Sequence, residues 1–123
     1  MNRHSERTPD FLEHILKALD RIQRYTDGKS KTDFIADTLL QDGVLRNLGI
    51  IGEAAHRLLA DAPEYAAKHP EIPLAKIYGM RNRITHAYEE VDMEIVWNLV
   101  LYDVPALQPK IAAALNELRE SKE

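Results

Sequence analysis

The chain has 123 residues, no cysteine, 45% hydrophobic and 29% charged residues and a formal net charge of −4. That length suits one domain, expected to span 1–123 with residues 1–7 and 120–123 flexible, and the missing thiols exclude disulfides and cysteine metal sites and point to a reducing cytoplasm. Disorder, a membrane span and indiscriminate coating of nucleic acid are disfavoured by the apolar content, by the absence of a long apolar run and by the acidic balance, and the polar start carries no apolar core of a secretion signal.

In chain order, Thr8-Pro9 reads as an N-cap followed by proline at the first helical position. Phe11, Ile15, Leu19, Ile22 and Tyr25 then recur at helical spacing, and Asp27-Gly28 ends the first helix. Residues 29–32 read as a linker and 33–38 as a short helical turn. Leu40, Val44, Leu48, Ile51, Ala55 and Leu58 define a second, central helix, in which Gly49 and Gly52 predict close approach of a neighbour. Pro63 opens a short helix ending near His69-Pro70, and a third major helix starts at Pro73 and runs toward Tyr88. Residues 89–92 read as a turn, with Asp92 as the N-cap of a fourth helix bearing Val96, Leu99 and Val100. Pro105 restarts the chain as a fifth helix carrying Leu107, Ile111, Ala114, Leu115 and Leu118, and the polar tail from Glu120 frays. The predicted fold is all-α: one antiparallel bundle of four to five helices.

The candidate chemistry lies on the third helix. Ile77, Met80 and Ile84 form its apolar stripe, and Arg81 falls at the edge of that stripe, roughly 40° from Ile77. A guanidinium there must snorkel or meet an anion. His86 lies about 140° from Arg81 and shares a face with Asn82. Arginine binds phosphate bidentately and histidine moves protons near neutral pH, so the pair suits phosphodiester cleavage without a metal when the 2′-hydroxyl of RNA is the nucleophile. Between positions 68 and 83 the cations Lys68, Lys76, Arg81 and Arg83 face a single acid, Glu71.

The run Arg81-Asn82-Arg83-Ile84-Thr85-His86-Ala87-Tyr88 resembles the arginine, four residues, histidine, one residue, tyrosine pattern of HepT-like HEPN ribonuclease toxins. Ile50-Ile51-Gly52-Glu53-Ala54 is similar to that family's central-helix signature, and Val91-Asp92 followed by Trp97 to its next helix. The resemblance implies a HEPN-like helical domain and a metal-independent endoribonuclease, the toxin of a type VII-like toxin–antitoxin system. It implies a homodimer whose two motif helices form a composite cleft, in which Arg81 holds the scissile phosphate, His86 acts as general base or acid and Asn82 orients phosphate or histidine. Glu53 and Arg83 would support the site. The implied partners are RNA and a minimal nucleotidyltransferase antitoxin that transfers AMP to Tyr88; no cofactor and no membrane are implied.

Other readings attach to the same residues. Glu53-Ala54-Ala55-His56 has the Glu-x-x-His spacing of di-iron bundles, which need two such motifs and two more carboxylates. The plainer expectation is that Glu53 pairs with Arg46 or Arg81 and that His56 is a rim residue. His4, His14 and His69 read as solvated, and Trp97 and Tyr102 as core or interface anchors. Two alternatives to the toxin are a non-catalytic substrate-binding subunit of a nucleotidyltransferase and a dimeric interaction module.

Overall fold

The computed structural model describes residues 7–86 and 92–121, with the side chains of 83–86 outside that description. Its helices are α1 (Thr8–Thr26), α2 (Lys31–Ala36), α3 (Thr38–Asp61), α4 (Pro63–Lys68), α5 (Leu74–His86), α6 (Met93–Asn98) and α7 (Val104–Ser121), with a π-helical turn at Leu99–Asp103 joining the last two. No strand occurs among the described residues, so the all-α expectation holds.

Local chemistry accounts for the boundaries. Helix α1 starts with Pro9 in its first turn, carries Asp10 there and Arg24 in its last turn, and ends at Asp27, after which Gly28 takes φ 73°. Its N-cap is Arg7, not the expected Thr8, because Thr8 is already helical and fully buried. Helix α2 begins two residues before the expected turn. The Ser30 side chain accepts from Asp33 N at 3.1 Å while Asp33 Oδ2 accepts from Ser30 N at 2.9 Å, a reciprocal capping box. The expected N-cap at Asp92 is present, its carboxylate accepting from Glu94 N at 2.9 Å.

The expected restart at Pro105 is absent. The chain stays helical from Met93 to Ser121, because the wider π turn, closed by Val104 N donating to Leu99 O, precedes a proline that sits in the first turn of α7, where its missing N–H is tolerated. Val96, Val100 and Val104 are buried along this rod, whereas Leu101 and Tyr102 stand exposed. The helix also continues through Ser121, past Glu120, with the Ser121 hydroxyl donating to Leu118 O.

Contacts at both ends of each pair give the directions. Gln108 meets Asp20 and Arg119 meets Glu13, so α7 runs antiparallel to α1. Tyr25 lies against Gly43 and Arg7 pairs with Asp61, so α3 is antiparallel to α1 as well. One contiguous core joins Leu12, Ile15, Leu19 and Ile22 of α1 to Val44, Leu48, Ile51 and Leu58 of α3 and to Ile111 and Leu115 of α7. Phe34 of α2 is fully buried and stacks on Trp97 at 5.2 Å, which makes Trp97 a core anchor; Tyr102 is not. Helix α5 lies on the outer side of α3, the element it chiefly contacts. No helix of the described residues is long and apolar enough to cross a membrane.

Candidate functional site

The site begins with a glycine. Gly52 is buried at the crossing of α3 and α5, where a Cβ would lie 3.4 Å from Arg81 Cα and would collide with the Arg81 Cβ and Cγ. The absent side chain lets the two backbones meet with the stem of Arg81 laid across Gly52. Gly49 plays no such part. A Cβ there meets nothing within 4 Å, so one of the two glycines expected to mark a close approach is simply in open space.

The adjoining residues then fix the guanidinium. Glu53 Oε2 receives Arg81 Nη2 at 3.4 Å, and its other oxygen lies 3.7 Å from Arg57 Nε. Arg81 Nη1 donates to Asn82 Oδ1 at 3.2 Å. The anion that Arg81 required is therefore Glu53; Arg46, the alternative partner, is not its mate. The Glu53 and Arg81 side chains are 46% and 28% exposed, so the pair adds at most about 1 kcal/mol to stability. Its consequence is geometric: a flexible four-bond side chain is held at one place on the surface with two donors aimed. Asn82 thus meets the Arg81 guanidinium.

A second contact continues the same seam. His56, one turn beyond Glu53, is exposed and stacks on half-buried Tyr78, one turn before Arg81, with ring centroids 4.4 Å apart and planes 20° apart. Gly52 facing Arg81 and His56 facing Tyr78 make α3 and α5 antiparallel. Sequence reasoning left Tyr78 and Arg57 unremarked. Arg57 was reachable as the i+4 partner of Glu53, but nothing local pairs positions 56 and 78.

His86 is the last described residue of α5, and Arg83 lies within that helix; the side chains of both are outside the described residues, as is all of Tyr88. His69, expected to be solvated, instead stacks on Tyr65 at 4.1 Å and lies 3.1 Å from Glu71 Oε2. The backbone bonding of Glu71 and then His69 hold the Glu71 carboxyl below its ordinary range. Glu53 and His56 do not converge, since one is on arginines and the other on a phenol. Among the described residues no group of three or more His, Asp or Glu is placed to hold a metal ion. An apolar groove of about 480 Å³ opens on the Ile77 and Met80 side of α5, and none of Glu53, Arg81 and Asn82 lines it.

Among its described residues the molecule is thus a small helical bundle with an arginine on an outer helix anchored by a carboxylate and an amide, five residues before a histidine of the same helix. The family model described as Ribonuclease HepT-like matches residues 15–114, and the chain belongs to that family. It is 38% identical over 101 residues to a candidate ribonuclease HepT of Thermococcus cleftensis, covering 82% of this chain and 89% of that one. A candidate RNase of Caldanaerobacter subterraneus is 34% identical over 107 residues, 87% of this chain and 93% of its own. A Methanocaldococcus jannaschii protein named for gamma-glutamylcyclotransferase and candidate RNase is 35% identical over 112 residues, 91% of this chain; the chain spans only 49% of that relative. No solved structure matches the chain.

Proposed function

We propose that the protein is an endoribonuclease and the toxin of a toxin–antitoxin pair, cleaving RNA without a metal at a cleft shared by two copies. The observation that carries this reading is Arg81 fixed by Glu53 and Asn82, five residues before His86 on the same helix, in a chain of the ribonuclease HepT-like family. In the reaction, a base removes the proton of the ribose 2′-hydroxyl, the oxygen attacks the adjacent phosphorus, and the 5′-oxygen leaves as it gains a proton. The products are a cyclic phosphate and a 5′-hydroxyl end. His86 serves as base or acid, and Arg81 binds the non-bridging oxygens and stabilises the charge that grows on them. Asn82 holds Arg81 in place, and Arg83 adds positive charge for the backbone.

Arg81 and His86 diverge by roughly 140° on one helix, so a complete site is easier to build from two α5 helices related by a two-fold axis. AMP placed on Tyr88 by a nucleotidyltransferase antitoxin would set a covalent phosphate beside Arg81 and exclude the substrate. Purified protein should cut single-stranded RNA in EDTA. His86→Ala and Arg81→Ala should each fold and lose at least about a hundredfold in rate, the usual scale for a general acid–base group or an oxyanion donor. Cleavage abolished by EDTA and restored by a divalent ion would overturn the metal-free mechanism. Mass spectrometry after incubation with the adjoining nucleotidyltransferase and ATP should place one AMP on Tyr88, and added mass on another residue would overturn the silencing route.

A further inference from the structure

Resting on the ribonuclease reading, we propose that the His56–Tyr78 pair is a shelf on which one base of single-stranded RNA stacks beside the cleavage site, with Arg57 and Arg81 taking the neighbouring phosphates. Three observations converge on it. The two rings stack at 4.4 Å within 20° of parallel, and His56 is the exposed member, so its outer face is offered to solvent while the phenol backs the inner one. The stack fixes the imidazole plane before any ligand arrives, which removes much of the ordering cost of binding. Next to it, Arg57 and Arg81 share the single carboxylate of Glu53, leaving one positive charge in excess. That carboxylate is nearly half exposed and occupies the place an incoming phosphate would contest.

Position along α5 joins the shelf to the chemistry. Residues 78, 82 and 86 succeed one another at every fourth position of one continuous helix, so they belong to one row, its ends roughly 12 Å apart along the axis. A strand whose scissile phosphate lies at Arg81 can follow that row and lay a flanking base on His56. Ring faces stack on any base, so the shelf adds affinity and sets the path of the strand with little sequence preference.

The test is fluorescence anisotropy with a short labelled oligoribonucleotide, carried out on the uncleaving His86→Ala protein. Copies of the oligonucleotide carry one abasic ribose at each position in turn. One abasic position should weaken binding about tenfold, and His56→Ala or Tyr78→Leu should weaken binding of the intact oligonucleotide about as much. Combining the abasic site with either variant should cost nothing further, whereas a variant that merely disturbs α5 loses affinity equally for every oligonucleotide. Tyr78→Phe keeps the ring and should restore the affinity that Tyr78→Leu loses. On the wild-type background His56→Ala should raise KM about tenfold with a smaller change in kcat. Unchanged binding in both variants, a uniform loss without base dependence, or an altered oligomeric state in place of altered RNA affinity overturns the shelf. Wild-type protein that cuts no RNA overturns the ribonuclease reading, while the binding experiment still decides the shelf on its own.

Discussion

Glu53 does two opposed things to Arg81. It fixes the guanidinium, and in the proposed reaction it would compete with the substrate phosphate for the same donors. Glu53→Gln keeps the shape and removes the charge. Steady-state kinetics should then show KM falling about threefold, as the cations lose their internal anion, and kcat falling about tenfold, as Arg81 loses its fixed position. A parallel loss in kcat/KM with KM raised would mean that Glu53 acts only as a strut. At the neighbouring glycine, Gly52→Ala forces the stem of Arg81 aside. It should cost about 1–3 kcal/mol by denaturant titration, the usual penalty of overpacking, whereas Gly49→Ala, in open space within a helix, should be neutral or stabilising. That Arg81 would either snorkel or meet an anion was legible in the sequence, since it stands at the edge of the apolar stripe. The choice between Arg46 and Arg81 as the mate of Glu53 was not, because the Arg81 pairing depends on how α3 and α5 cross, and the same crossing hides the pairing of His56 with Tyr78 across 22 positions.

Helix α2 is short, and its cap is what defines it. The Asp33 carboxyl is held below its ordinary range by the Ser30 backbone bond first and the Ser30 hydroxyl second. A carboxylate with a depressed folded-state pKa stabilises fully above its unfolded pKa and loses that contribution as pH falls through the folded value. Melting temperature measured against pH should therefore fall on the acid side of the ordinary carboxylate range, and Asp33→Asn should flatten part of that fall. An unchanged acid slope in Asp33→Asn would show that the capping box contributes nothing. Phe34→Ala should be far more damaging, about 3–5 kcal/mol, because it empties a fully buried site stacked on Trp97. The long helices α1 and α3 were legible because their apolar residues recur over several turns. Helix α2 is only half legible because six residues give no periodicity, although the Ser30-x-x-Asp33 box ahead of Phe34 carries the signal. The unbroken rod from α6 to α7 is hidden because Pro105 reads as a stop, when a π turn places it where a missing N–H does little harm.

For the whole molecule, the four long elements lie in the order α5, α3, α1, α7, and α5 at one edge has α3 as its chief neighbour. That leaves the proposed catalytic helix at a boundary of the bundle, where a second copy can complete it. Light scattering at micromolar concentration should give twice the mass of the chain, and an active sample that runs as a monomer would contradict the composite cleft. The overall charge of −4 makes RNA binding depend on a few local cations. The salt dependence of binding to single-stranded RNA should accordingly be shallow, with a slope of about −1.4 if only Arg57 and Arg81 contact phosphate, and its magnitude should decrease by about 0.7 on Arg57→Ala. The helical class and the order of the long helices were legible from hydrophobic spacing together with caps and prolines; which helix would stand at the edge was not, since that depends on contacts between distant segments.

The bare backbone at Gly52 also has a genetic reading. If the protein is the toxin proposed above, cells that survive its expression are those whose copy has failed, and selection collects the least disruptive failures. Position 52 should be prominent among them beside Arg81 and His86, since one codon change there displaces the arginine stem without replacing Arg81 or His86. Position 49, three residues away and equally a glycine, should stay silent in such a screen because nothing presses on it.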